Sequence, residues 1–153
     1  ELLIAAALLG LVSLGFGFIY VVAQHNLIRN ANFVAAQSQA AFAMEHIRQN
    51  LSLATDVAVP PEGVNNSAIL VFTSRPNPGL PAITSTYQVA GSTLEYERDA
   101  GNGFAAVAQG VIQLLFDRLD RYSLRVTVQA SRTSGGDTQS ELLTSTVAPR
   151  GIL

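Results

Sequence analysis

Glu1-Leu2-Leu3-Ile4-Ala5-Ala6-Ala7-Leu8-Leu9-Gly10 opens a run that carries no charged side chain from Leu2 to Ala23. As an α-helix, these 22 residues extend about 33 Å at about 1.5 Å each, and a bilayer's hydrocarbon core is about 30 Å thick. Small residues (Ala5, Ala6, Ala7, Gly10, Ser13, Gly15, Gly17) are mixed with large ones, as where helices pack closely in a membrane. A signal peptide would start basic and have a shorter apolar core. A plain membrane anchor fits the length, but anchors usually have basic flanks on the cytoplasmic side. It also leaves Glu1 unexplained, since a lone carboxylate drawn into lipid costs about 2.5–3.5 kcal/mol on insertion scales. The acid needs a partner.

Glu1-Leu2-Leu3-Ile4 followed by Ala5-Ala6-Ala7-Leu8-Leu9-Gly10 resembles the start of mature type IV pilins and type II secretion pseudopilins. The resemblance implies that Glu1 neutralises the terminal amine of a neighbouring subunit, and that a few residues precede Glu1. It implies further that Leu2, Leu3, Ile4, Leu8, Leu9, Gly10, Gly15 and Gly17 pack in a filament core. The family often has a proline midway along this helix, whereas the first proline here is Pro60. Gly10, Gly15 and Gly17 can take its place, because glycine costs up to about 1 kcal/mol in a helix. Local melting between Gly10 and Phe18 in the assembled state is one expectation. Close helix packing through the same glycines is the other.

Composition narrows the function classes. Net charge is −2, charged residues make up 13%, and all nine cations are arginine, so no dense basic face exists for nucleic acid. The absence of cysteine removes disulfides, thiol catalysis and zinc–thiolate sites. With 153 residues and an apolar N-terminal segment, the rest is enough for one globular head.

The helical pattern continues past membrane length. Ile28, Ala31, Ala35, Phe42 and Ile47 fall along one side, with Gln37, Gln39, Glu45 and Gln49 elsewhere, and no glycine or proline interrupts Gln24–Val59. The pattern predicts one helix from Leu2 to Ala54, stopped ahead of Pro60-Pro61. Residues 1–25 form its apolar part, 26–55 its amphipathic part, and 56–153 a β-rich head. Strands are predicted at Ala68–Thr73, Thr84–Val89, Thr93–Arg98, Val111–Phe116, Ser123–Ala130 and Leu142–Val147. Turns fall at Arg75–Pro81, Ala90-Gly91-Ser92, Gly101-Asn102-Gly103 and Ser134-Gly135-Gly136-Asp137, with a polar connection over Asp117–Arg121. The expected fold is α+β, a long spine helix packed on an antiparallel sheet. The order of Leu94–Arg98, Val111–Phe116, Val126–Val128 and Leu143–Arg150 is similar to that in the heads of minor pilins and some pseudopilins. The resemblance implies the pilin fold.

No pattern points to an active site, a metal or a cofactor. His25 and His46 lack ligand partners at the right spacing; His25 marks the interface end of the apolar run. Gly101-x-Gly103 lacks the setting and the lysine of a phosphate loop. Glu95, Glu97 and Asp99 alternate with Arg98 nearby and read as a solvated strand face. Asp137 and Glu141 are too few for a calcium loop. Asn50-Leu51-Ser52 and Asn65-Asn66-Ser67 match the glycosylation sequon, and Asn65, on a loop, is the better acceptor.

The resulting expectation is a non-enzymatic structural subunit of an extracellular pilus-like filament. Its partners would be other copies of itself, the cytoplasmic membrane before assembly, and a pilus or secretion assembly machinery. A minor pilin or pseudopilin that primes a filament is the alternative within that class. A membrane-anchored binding or enzymatic domain is the alternative outside it. Under the filament reading, Glu1→Ala inserts in the membrane normally but assembles poorly. Membrane fractionation and filament counts by electron microscopy check this, and wild-type filament numbers would rule out the charge-pair mechanism.

Overall fold

A computed structural model of the chain describes residues 2–75, 79 and 81–149, and the side chains from Leu3 onward. Glu1 lies outside the described residues, as does most of the predicted Arg75–Pro81 turn. The architecture is α+β. One helix, α1 (Leu2–Ser52), is followed by eight strands: β1 (Ala54–Val59), β2 (Leu70–Ser74), β3 (Ile83–Ala90), β4 (Thr93–Arg98), β5 (Ala105–Gln109), β6 (Val111–Asp120), β7 (Ser123–Ser134) and β8 (Asp137–Val147).

α1 ends at Ser52 rather than Ala54. Ser52 Oγ turns back to donate to Gln49 O (2.7 Å), and the Leu53 amide closes a turn on Asn50 O (3.2 Å). Ala54–Val59 then leaves as an unpredicted strand, because Ala54 and Val57 are buried and the segment pairs with β2. β5 was also unforeseen. Val111–Phe116 and Leu142–Val147 are the cores of longer strands. The polar segment Asp117–Asp120 continues β6, so only Arg121 and Tyr122 turn the chain into β7.

Two antiparallel sheets form where one was expected. β1 to β5 make a five-stranded meander, and β6 to β8 a three-stranded one. Gly110, with φ of 75°, separates them: it stands between β5 in the first sheet and β6 in the second. Its carbonyl accepts the Ser131 amide at 2.7 Å, which fixes the change of sheet against β7. A Cβ at this position would lie 2.7 Å from Ser131 O, so neither the conformation nor the space admits a side chain.

α1 packs chiefly against β7 and β8. Its buried stripe is Asn32, Ala36, Ala40, Ala43, Met44, Ile47 and Leu51, a regular i, i+4 and i, i+3 progression. The stripe predicted from sequence is rotated from this one: Phe42 and Ile28 are exposed, and of the residues named only Ile47 is fully buried. Alanine is the reason. Three small residues let the helix backbone approach the sheet, leaving no room for Phe42 on that side. Ile47 and Leu51 join Leu70, Phe72, Tyr87, Leu94, Phe116, Leu124, Val126 and Val128 in one core. Burying each large side chain stabilises the fold by about 1.5–3 kcal/mol.

Gly110→Ala is expected to destabilise the head by more than about 1 kcal/mol, since strain and a backbone clash add. Denaturant titration of the chain in detergent checks this, and an unchanged midpoint would show that Gly110 does not set the passage between sheets.

Candidate assembly surface

The first half of α1 stands clear of the head. No part of its most apolar stretch is buried, and the helix is long and apolar enough to cross a membrane. Exposure is not confined to one stripe. Leu3 (86%), Ile4, Leu8, Leu9 (72%), Leu11, Val12, Leu14, Phe16, Phe18, Ile19 and Val21 point in every direction around the axis. An apolar surface that wraps a helix needs surroundings on all sides, either lipid or several other helices. The helix is continuous through Gly10, Gly15 and Gly17 in the single chain, and a Cβ at any of the three would meet nothing within 4 Å. These glycines therefore leave three shallow places on the exposed surface where another backbone can come near.

Polar tethers fix where the free part of the helix begins. Asn32, 4% exposed, donates through Nδ2 to Ser134 O (3.2 Å) and Asp137 O (3.1 Å) at the tip of the β7–β8 hairpin. About two turns earlier, His25 Nε2 lies 3.1 Å from Asp137 Oδ2. No hydrogen bond forms there, and Oδ2 is buried without a donor, so the contact is one of proximity. Ile28 lies against Gly135 between them, close enough that a Cβ on Gly135 would stand 3.3 Å from the isoleucine Cγ2. The hairpin tip thus grips α1 over His25–Asn32, just beyond the apolar run.

A second tether secures the far end. His46 Nδ1 is 2.7 Å from Tyr87 Oη, and Asn50 Nδ2 donates to the same oxygen (2.8 Å) and to His46 O (2.9 Å). Asn50 supplies one proton to Oη, whose other partners are His46 Nδ1 and, at 3.3 Å, His46 O. The His46 ring meets Tyr87 and Tyr96 edge-on, with centroids 5.8 and 5.5 Å away. Burial holds the His46 pKa below its ordinary value and pushes that of Tyr87 up, so both are neutral at pH 7. Ser85, 1% exposed, pairs with Tyr96 Oη at 3.1 Å.

The remaining sequence candidates fall in separate places. Asn65 is exposed on the loop between β1 and β2, while the neighbouring Asn66 amide donates to Asp117 Oδ1 (2.6 Å). Asn50 spends its amide on the tether. Glu97 accepts from the Gly101 and Gly103 amides (3.0 and 3.1 Å) and so shapes the loop after β4, and Glu95 accepts from Gln88 (3.0 Å). Glu45 and Arg48 form the expected exposed pair (2.9 Å), which lowers the glutamate's pKa. Among the described residues no three acidic or histidine side chains gather as a metal site. Sequence reasoning missed Asn32 and the His46–Asn50–Tyr87 group. The i, i+4 spacing of His46 and Asn50 was visible, but Tyr87 is distant in sequence. Comparison with protein-family models, curated proteins and solved structures finds no match.

His46 predicts a pH effect of definite sign. Its folded pKa is depressed, so the neutral ring contributes stability that is present above the unfolded value of about 6.5 and is lost as pH falls through the folded value. Denaturation midpoints are expected to drop between pH 7 and pH 5, and His46→Gln to flatten that dependence. An equally steep profile in the variant would show that His46 is not the source. Tyr87→Phe, which strands the Asn50 and His46 groups, is expected to cost about 1–3 kcal/mol.

Proposed function

We propose that the chain is a type IV pilin-like subunit that assembles into a filament through its N-terminal helix. The observation that carries this reading is the division of α1: one half seated in the head by a buried stripe, the other apolar on every side and uncovered. A binding or enzymatic domain on a membrane anchor needs no rigid continuity between the two parts. A filament does, because each head must be held at a fixed position relative to the packed helices. The unbroken passage of α1 from the apolar run into its seat on β7 and β8 supplies that continuity.

In this reading the helix moves from lipid into a bundle of like helices. Exchanging one apolar environment for another yields little hydrophobic gain, so close packing at Gly10, Gly15 and Gly17 and the pairing of Glu1 set the register. The head, carrying Asn65 on a surface loop, faces outward on an extracellular filament. The subunit is structural and performs no catalysis.

The chain's lack of cysteine makes the test direct. Single replacements Leu9→Cys and Phe16→Cys, oxidised in cell-surface filament preparations, are expected to give disulfide-linked dimers through the core, with filaments visible by electron microscopy. A chain that stays monomeric in native membranes and keeps full function on an unrelated anchor would overturn the proposal.

A further inference from the structure

The part of α1 just past the apolar run carries Asn26, Arg29, Asn30 and Phe33, spaced i, i+3, i+4 and i+7, so they form one stripe. The hairpin tether brings β8 beside this stripe, and Gln139 completes a cavity of about 540 Å3 with it. Asn26, Arg29 and Asn30 are exposed, and among the described residues no carboxylate forms an ion pair with Arg29. The cavity therefore presents a guanidinium and three amide side chains in one concave place.

Its depth relative to a bilayer follows from the helix rise. With the apolar run ending at Ala23, Asn26 and Asn30 stand about 5 and about 10 Å beyond it. A headgroup layer is about 5–8 Å thick on each side, and an arginine side chain bends back toward it. Tyr20, whose Oη accepts from Gln24 Nε2 at 2.6 Å, lies in the last turn of the run, where tyrosine marks the membrane boundary.

We propose that this cavity holds the headgroup of a phospholipid in the leaflet next to the head, with Arg29, Asn26 and Asn30 on its phosphate. The proposal rests on the reading that residues 2–23 enter a bilayer before assembly. Local charge selects the headgroup. Arg29 is the only formal cation in the cavity wall; beside the wall, Asp137 and Glu141 flank Gln139 along β8 at half-buried positions, and Arg132 of β7 is the register partner of Gln139. Two guanidiniums and two carboxylates thus balance around the cavity, which suits a zwitterionic headgroup whose phosphate meets Arg29 and whose own amine meets the carboxylates, of the ethanolamine type. A guanidinium binds phosphate through parallel charge-assisted hydrogen bonds, which suits Arg29 to the phosphate rather than to the glycerol. A subunit entering a filament gives this lipid up, so the site acts in the membrane-held state.

The test uses the full chain in nanodiscs with equal parts phosphatidylcholine, phosphatidylethanolamine and phosphatidylglycerol, released for native mass spectrometry. The expected result is retained phosphatidylethanolamine in excess of the other two. Arg29→Gln is expected to lower it about tenfold, the loss of one charge-assisted hydrogen bond, and Arg29→Lys to restore part of it. Equal adducts in wild type and Arg29→Gln would overturn the site, and a preference for phosphatidylglycerol would overturn the charge argument. Displacement by inorganic phosphate would reassign the cavity to free phosphate. Flotation with vesicles is run alongside: a wild-type chain that does not float overturns the membrane reading itself, and the lipid site with it.

Discussion

Ala36, Ala40 and Ala43 bring the backbone of α1 close to β7 and β8, and Ile47 and Leu51 then reach into the core between the two sheets. Much of the structure depends on this close approach. It makes Asn32 reach the carbonyls of Ser134 and Asp137, and it sets the angle at which the first half of the helix leaves the head. A larger side chain at any of the three alanines would lift the helix from the sheet and separate groups that now satisfy one another.

The two polar tethers share a logic. A buried amide or phenol is costly unless each donor and acceptor finds a partner, so such groups specify one arrangement more sharply than apolar contacts do. Asn32 fixes the helix along its axis at one end of the seat, and Asn50 with Tyr87 fixes it at the other. Between them the alanine stripe is smooth and would tolerate sliding. Apolar packing gives the seat its strength, and the polar pairs give it register.

How much of this the sequence disclosed depended on side-chain size and separation. The uncharged run to Ala23, the Ala90-Gly91-Ser92 hairpin and the alternation of Leu124, Val126 and Val128 were readable, because period and turn chemistry are local. β5 was not: Ala105-Ala106-Val107-Ala108-Gln109 has a single β-branched residue and becomes a strand by pairing with β4. The division into two sheets hung on the positive φ of Gly110, and a glycine in sequence does not announce which way it turns. The buried face of α1 was misjudged because Phe42 and Ile28 outweigh alanine in any count of hydrophobicity, whereas the seat selects for smallness. The exposed apolar helix was legible in full. The tethers that aim it join residues 37 to 105 positions apart, and no local signal marks them.

Within each sheet, neighbouring strands are consecutive in the chain, so among the described residues the head contains no crossover and can form hairpin by hairpin. The helix seat does not share this locality. Asn32 waits for residues 102 and 105 positions later before its amide is satisfied, and the strands that cover the alanine stripe are the last two. During synthesis α1 therefore emerges before the strands that cover its alanine stripe. For that interval the growing chain exposes the stripe as well as the apolar run, and something outside the chain must shield both. A bilayer that takes up the leading segment early solves half of the problem. The β7–β8 hairpin, closing late over the remainder, completes a folding order written into the topology.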